Sequence, residues 1–143
     1  MTLANVLLVD DEVAFVETMT KRLTKRELNI ISAFSGQEAI EKLQKNQAVE
    51  VVILDVKMPG MHGIETLREI KRLYPLIEVI MLTGHATVES AIEGMKHGAF
   101  DYLMKPCDMD LLIEKVKEAA SKKRKHEDKI IEARMREITS RRG

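Results

Sequence analysis

The stretch Glu50-Val51-Val52-Ile53-Leu54-Asp55-Val56-Lys57-Met58-Pro59-Gly60-Met61-His62-Gly63 holds an apolar run, a carboxylate that closes it and a loop. Val51 to Leu54 have no polar interruption, as expected of a strand covered on both faces of a parallel sheet, and Glu50 to Leu54 is predicted as that strand. Pro59, Gly60 and Gly63 punctuate the loop. Ile64, Leu67 and Ile70 then recur at helical spacing, and this helix should end near Tyr74 because Pro75 disfavours helical geometry in the residue before it. A carboxylate at the end of so apolar a run calls for a functional explanation.

The same strand and helix unit repeats on either side. Upstream, Asn5 to Val9 reads as a strand, followed by a helix from about Glu12 to Arg26 with Val16, Met19 and Leu23 on one face. A second strand, Asn29 to Phe34, leads to a helix opened by the capping pair Ser35 and Glu38 and buried through Ala39, Ile40 and Leu43. Downstream, Ile77 to Leu82 is a strand. Val88, Ala91, Ile92 and Met95 follow the i, i+3, i+4, i+7 rule, and Gly98 stands where a helix end needs a left-handed residue. Phe100 to Met104 is the fifth strand, and Asp108 can cap a last helix with Met109, Leu112, Ile113, Val116 and Ala119 toward the core. The alternation predicts an α/β domain, a (βα)5 unit around a parallel sheet.

Composition agrees. The 143 residues, 45% hydrophobic and 32% charged, suffice for one domain with one core. One cysteine, Cys107, cannot form an internal disulfide, which excludes a disulfide-stapled secreted mini-protein. The longest apolar runs, such as Val6 to Val9 and Val79 to Leu82, are far too short for a membrane span or a signal-peptide core, so a cytoplasmic location and no membrane partner are expected.

Equal numbers of basic and acidic residues, 23 each, conceal an asymmetry. Residues 1–120 carry 14 basic and 19 acidic groups, and residues 121–143 carry nine basic and four acidic. A domain over 1–120 and a basic helical extension over 121–143 are predicted. The apolar stripe vanishes from Ser121 to Lys129 and resumes with Ile131, Met135 and Ile138, so the last helix should run on past the domain and rely on a partner surface or a second copy of itself. The Lys122 to Lys125 run reads as a solvated helix face, and no aromatic falls within residues 121–143 to stack on bases; direct nucleic-acid binding is not expected.

In an open parallel sheet, ligands sit at the carboxyl ends of the strands. Those ends carry Asp10-Asp11, Asp55, Thr83-Gly84 and Lys105-Pro106. Three carboxylates would repel one another without a cation, and hard oxygen ligands suit Mg²⁺. A carboxylate can attack phosphorus to give an aspartyl phosphate whose outer oxygens a metal, an ammonium and a hydroxyl would stabilise, which gives Lys105 and Thr83 a role each. Taken singly, Asp10 and Asp11 also fit helix caps, Thr83 a cap of the next helix and Lys105 a solvated turn residue. His62, His85, His97 and His126 lack metal-ligand spacing and read as exposed polar residues.

Over roughly residues 4–120 the chain resembles the receiver domain of bacterial two-component response regulators, on Val9-Asp10-Asp11-Glu12, Asp55 to Gly63, Thr83-Gly84 and Lys105-Pro106. The resemblance implies a flavodoxin-like fold with strand order 2-1-3-4-5 and a phosphorylation-activated switch, not an enzyme beyond self-phosphorylation from small donors and slow self-dephosphorylation. It implies that Asp55 accepts a phosphoryl group from a sensor histidine kinase, and that Asp11, Asp55 and the Lys57 backbone carbonyl bind Mg²⁺, with Asp10 helping through water. Thr83 and Tyr102 match the switch pair, Lys105 the phosphoryl contact, and the Lys105-Pro106 bond is expected to be cis. Lys57 and His85 occupy positions that border the phosphate and are expected to tune its lifetime.

Two other readings compete. An Mg²⁺-dependent phosphatase with an aspartyl nucleophile would place a second Asp two residues after the first, where Glu12 stands. A flavin-binding module would need a Ser/Thr/Gly-rich first loop, which Asp10-Asp11-Glu12 is not. Among similar receivers, those of enhancer-binding transcription activators carry an extended last helix leading to an ATPase and a DNA-binding domain. Residues 1–143 fit either a single-domain regulator or a piece of a longer one; a downstream output domain or protein and a homodimer through the C-terminal helices are the partners this implies.

Overall fold

In the computed structural model, which describes residues 2–57 and 62–142, every apolar run named above is a strand and every periodic segment a helix. Part of the loop after Asp55, Met58 to Met61 with Pro59 and Gly60, lies outside the described residues. The order is β1 (Ala4–Val9), α1 (Val13–Thr24), β2 (Leu28–Ala33), α2 (Gly36–Lys45), β3 (Val51–Leu54), α3 (Gly63–Leu73), β4 (Glu78–Thr83), α4 (Val88–Lys96), β5 (Asp101–Met104) and α5 (Met109–Arg142). All pairings are parallel, in the order β2-β1-β3-β4-β5. This is the flavodoxin-like arrangement.

Alternation along each strand divides the core in two. Val6, Leu8, Val51, Ile53, Ile80 and Leu82 meet Val16, Met19 and Leu23 of α1 and Leu112, Val116 and Ala119 of α5. Leu7, Val9, Val52, Leu54, Val79 and Met81 meet Ala39 and Leu43 of α2 and Leu67 and Ile70 of α3 on the other face. Since both faces are covered, the central strands contain no polar residue within their apolar runs. The chain leaves β1 toward one face and β3 toward the other, so a crevice opens between their carboxyl ends.

The local signals act as expected. Ser35 Oγ accepts the Glu38 N–H at 3.1 Å, while the Glu38 carboxylate takes the Phe34 N–H at 3.2 Å, one residue earlier than in a regular capping box. Gly98 has φ of 97° and the Lys105-Pro106 bond is cis.

One stripe is not core. On α4, Val88, Ile92 and Met95 are exposed, and Gly94 is the residue that is buried. The side facing the domain carries Ser90, Gly94 and His97, because only a face this small lets the helix lie against Tyr102 and Met81, about which Gly94 is closely packed. Apolar periodicity marks a surface that leaves water, and it does not say against which molecule.

The basic run also differs from a freely solvated face. α5 continues unbroken for 34 residues, about 50 Å at the usual helical rise. Just past the core, Arg124 grips Glu50 at the start of β3 through Nε–Oε2 and Nη2–Oε1 contacts of 2.6 and 2.9 Å, and Nη2 also reaches the Leu3 carbonyl at 2.9 Å. Lys122 lies 3.3 Å from Glu78, the buried first residue of β4. Burial raises the Glu50 carboxyl, but the Arg124 hydrogen bonds, the Asn5 N–H and nearby charge outweigh it, and the net shift is downward. A lowered carboxyl contributes stability at neutral pH that is lost as pH falls. Arg124→Ala is therefore expected to speed amide exchange over residues 121–130 by roughly fivefold, a small effect because the guanidinium is half exposed. Unchanged exchange there would show that the grip contributes nothing.

Candidate functional site

The strand ladder sets the site. Beyond the strands proper, the Asp55 N–H donates to the Val9 carbonyl at 3.0 Å and the Asp10 N–H to the Ala33 carbonyl at 3.1 Å, so both carboxylates leave the sheet side by side. Each is about 98% or more buried. Asp11, one residue on, is only partly covered. One oxygen from each of Asp10, Asp11 and Asp55 falls within 4.8 Å of the others.

Among the described residues, the Lys105 ammonium faces this cluster. The Lys105 N–H donates to the Thr83 carbonyl at 2.9 Å, which seats the residue at the carboxyl end of β4. Its Nζ then donates to Asp10 Oδ2 at 2.6 Å, with Glu12 Oε1 further off at 3.8 Å. Asp10 Oδ1 accepts the Glu12 N–H at 3.0 Å, so both Asp10 oxygens are engaged. Asp55 Oδ1 accepts the N–H of its neighbour Val56 at 2.8 Å.

Burial pushes the Asp55 carboxyl above its ordinary value, and the Asp10 charge adds to that; the Thr83 hydroxyl, the Lys105 ammonium and the Val56 N–H pull it back without cancelling it. Three carboxylates against one cation leave an excess of negative charge in a buried crevice. Such a group of hard oxygen donors could hold a divalent metal ion, which would offset the cost of burying the Asp55 charge and the repulsion from Asp10.

Thr83 is fully buried, and its Oγ1 accepts the His85 N–H at 3.0 Å. Both His85 and Lys57 are exposed at the mouth of the site. Tyr102, paired with Met81 in the sheet, is partly buried with its hydroxyl 2.6 Å from Ser90 Oγ. That Ser90 is itself half of the Thr87/Ser90 capping box of α4. Thr83 is thus bonded to the loop at His85, and α4 is bonded to Tyr102 at Ser90, with only the backbone of the loop joining the two.

Gly63 closes the far side. Its N–H donates to the Val56 carbonyl at 2.7 Å, and a Cβ there would run into the Asp55 carbonyl oxygen and stand 2.6 Å from Val56 Cα. The first turn of α3 is thus pressed against the backbone that carries Asp55.

The structure brings together Asp10, Asp11, Asp55, Thr83 and Lys105, and it sets Tyr102 apart against α4. Two residues escaped sequence reasoning. Phe15 lies beneath Lys105, whose Nζ is 3.9 Å from the ring centroid; nothing local marks it, since its partner is 90 positions away. Ser90 belongs to the Thr87 capping box, and its bond to Tyr102, 12 positions on, is tertiary.

Comparison with known proteins identifies the family. Residues 6–117 match the family model of the response regulator receiver domain. The chain is 41% identical over 108 residues to the transcriptional regulatory protein ZraR of Escherichia coli K12, covering 76% of this chain and 24% of that protein. It is 34% identical over 114 residues to the DNA-binding transcriptional regulator NtrC of Klebsiella pneumoniae, covering 80% of this chain and 24% of that one. The chain thus spans about a quarter of the length of these relatives. A CheY-like receiver domain protein from Methanospirillum hungatei superposes with a TM-score of 0.81 at 30% identity, covering 87% of this chain and 99% of that one. NtrX from Brucella abortus gives 0.80 at 30% identity, covering 92% of this chain and 30% of that chain. The family model, the identity to these regulators and the shared fold agree, and the chain belongs to the response regulator receiver domains of two-component signal transduction.

Proposed function

We propose that Asp55 accepts a phosphoryl group from a phosphohistidine of a sensor histidine kinase, and that this switches the surface formed by α4, β5 and α5. The observation that carries the reading is the convergence of Asp10, Asp11 and Asp55 within 4.8 Å beside Lys105 Nζ. An Asp55 oxygen attacks phosphorus, the bond to the donor nitrogen breaks, and the electron pair leaves on the imidazole. Asp55 is the suitable nucleophile because both Asp10 oxygens are committed, to the Glu12 N–H and the Lys105 ammonium, whereas among the described residues the backbone gives Asp55 one donor, the Val56 N–H, beside the Thr83 hydroxyl. That difference also favours this reading over a phosphatase with its nucleophile at the end of β1.

Asp10, Asp11, Asp55 and the Lys57 backbone carbonyl would hold Mg²⁺, which supplies positive charge against the carboxylates and the phosphoryl oxygens. Lys105 offers its remaining N–H donors to a phosphoryl oxygen. Thr83, whose oxygen is already satisfied by the His85 N–H, keeps its own hydrogen to donate. Drawing Thr83 toward the phosphate strains the loop between β4 and α4, loosens the Thr87/Ser90 cap and frees Tyr102 to move. Exposed Val88, Ile92 and Met95, with Met104 and Leu111 beside them, form the readout surface for an output domain or protein. The exposed stripe Ile131, Met135 and Ile138 suits pairing with a second copy of the same helix. Among the described residues no helix is long and apolar enough to cross a membrane.

Incubation with acetyl phosphate and Mg²⁺ tests the reading by intact mass. A single adduct, labile at high pH, dependent on Mg²⁺ and absent in Asp55→Asn, is the expected result; an adduct that persists in Asp55→Asn would overturn it. Lys57→Ala and His85→Ala, both at the exposed mouth, are expected to change the half-life of that adduct by severalfold with the fold intact. Unchanged decay in both would remove their assigned role.

A further inference from the structure

The geometry points to Phe15 as a positioning residue for phosphoryl transfer, a saddle that holds the Lys105 ammonium beside Asp55. The inference rests on the role given to Lys105 above. Phe15 sits in the first turn of α1 and packs against the cluster formed by α1, α5 and one face of the sheet, so its ring is anchored. Lys105 arrives from the end of β5, and its Nζ stands 3.9 Å from the ring centroid. Its stem also passes Gly84, where a Cβ would meet Lys105 Cδ at 4.0 Å.

A lysine head on a four-carbon stem has many rotamers, and a single bond to Asp10 fixes its distance from that carboxylate without fixing its direction. The ring face supplies the second restraint. It attracts the cation through its quadrupole and consumes no N–H donor, so one hydrogen goes to Asp10 and the others stay available to a phosphoryl oxygen. It also keeps water off that side of the ammonium, which strengthens the charge felt in the crevice. A carboxylate or amide in place of Phe15 would hold the head equally well and take up the donors that transfer needs. An aliphatic residue would leave them free but would not hold the head.

Phosphorylation of the full chain by acetyl phosphate at saturating Mg²⁺ separates these roles. Phe15→Leu keeps an apolar contact and loses the quadrupole, and it is expected to slow transfer about fivefold with melting temperature and Mg²⁺ affinity unchanged. Phe15→Tyr restores the aromatic face and is expected to return the rate to near that of the parent. In a Lys105→Met background, Phe15→Leu should have no further effect. The Lys105 ε-methylene protons should also show an upfield ring-current shift in the parent that Phe15→Leu abolishes, a readout that a loss of packing alone does not produce. A parent rate in Phe15→Leu, an equal loss in the Lys105→Met background, failure of Phe15→Tyr to rescue, or no ring-current shift would each overturn the inference. If Lys105→Met itself transfers at the parent rate, the role of Lys105 fails first; if Lys105→Met is slow and Phe15→Leu is not, the saddle alone fails.

Discussion

Asp55→Asn is expected to abolish the phosphoryl adduct and at the same time to raise the melting temperature at pH 7. The two effects have one cause. Burial and the Asp10 charge push the Asp55 carboxyl above its ordinary value of 3.8, so the folded state binds that proton more readily than the unfolded state does. Stability linked to a raised carboxyl is fully present below the unfolded value and is lost as pH rises through the folded one. At neutral pH the ionised Asp55 therefore works against the fold, and an amide of the same shape removes the repulsion. The gain should be on the order of 1 kcal/mol, about 4 °C in a domain of this size. It should shrink as pH falls and vanish below the ordinary carboxyl value, where both side chains are neutral. Mg²⁺ should raise the melting temperature of the parent chain more than that of Asp55→Asn. Calorimetry from about pH 3.5 to about pH 7.5, a window that spans the ordinary carboxyl range, checks all of this, and a variant that melts lower than the parent at pH 7 would contradict it.

The second large effect is predicted at Gly63. The change Gly63→Ala would bring a Cβ against the Asp55 carbonyl and to 2.6 Å from Val56 Cα, both of them backbone atoms that no rotamer change can move. Relief requires α3 to back away from β3, which breaks the 2.7 Å bond from Gly63 N–H to the Val56 carbonyl and disturbs the covered pair Leu67 and Ile70 behind it. The substitution is expected to destabilise the domain by roughly 3 kcal/mol, at the upper end of overpacking changes. Any folded fraction should accept phosphate more slowly, since the displaced backbone carries Asp55. Urea unfolding gives the first quantity and adduct formation at low temperature the second. A variant as stable as the parent would show that the helix tolerates the shift.

Much of the fold was legible because it rests on signals of short range. Apolar runs of three or four residues that end in a carboxylate, a Thr-Gly or a Lys-Pro mark strand ends with little ambiguity, and helices built on Val16, Met19 and Leu23 or on Leu67 and Ile70 declare their buried faces. The site was legible for the same reason: in a parallel sheet, every strand end is delivered to one edge. What failed was the inference from apolar spacing to burial on α4. Ile92 and Met95 have the same periodicity as Leu67 and Ile70, yet the first pair is exposed and the second buried, because the smallness of Gly94 decides which face approaches the sheet.

The long-range polar pairs were the other gap. Arg124 and Glu50 lie 74 positions apart, and the Lys122 to Lys125 run reads as a solvated face until Glu50, just before β3, and Glu78, the first residue of β4, are seen beneath it. Phe15 under Lys105 and Ser90 against Tyr102 belong to the same class. Each residue has a satisfactory local explanation, as core or as cap, and the partner that changes its meaning is brought near only by the completed sheet.

The unbroken course of α5 makes the extension a shaft geared to the receiver. Its near end is keyed by Leu112 and Val116 in the core and by Arg124 on Glu50, so the azimuth of Ile131, Met135 and Ile138 is set by counting residues along one helix. One residue inserted between Arg124 and Ile130 turns that stripe by about 100°, while seven return it to within about 20° and move it about 10 Å outward. Whatever the stripe meets is therefore indexed in angle as well as in distance, and a change of phase, with every contact residue retained, is enough to disconnect the two ends.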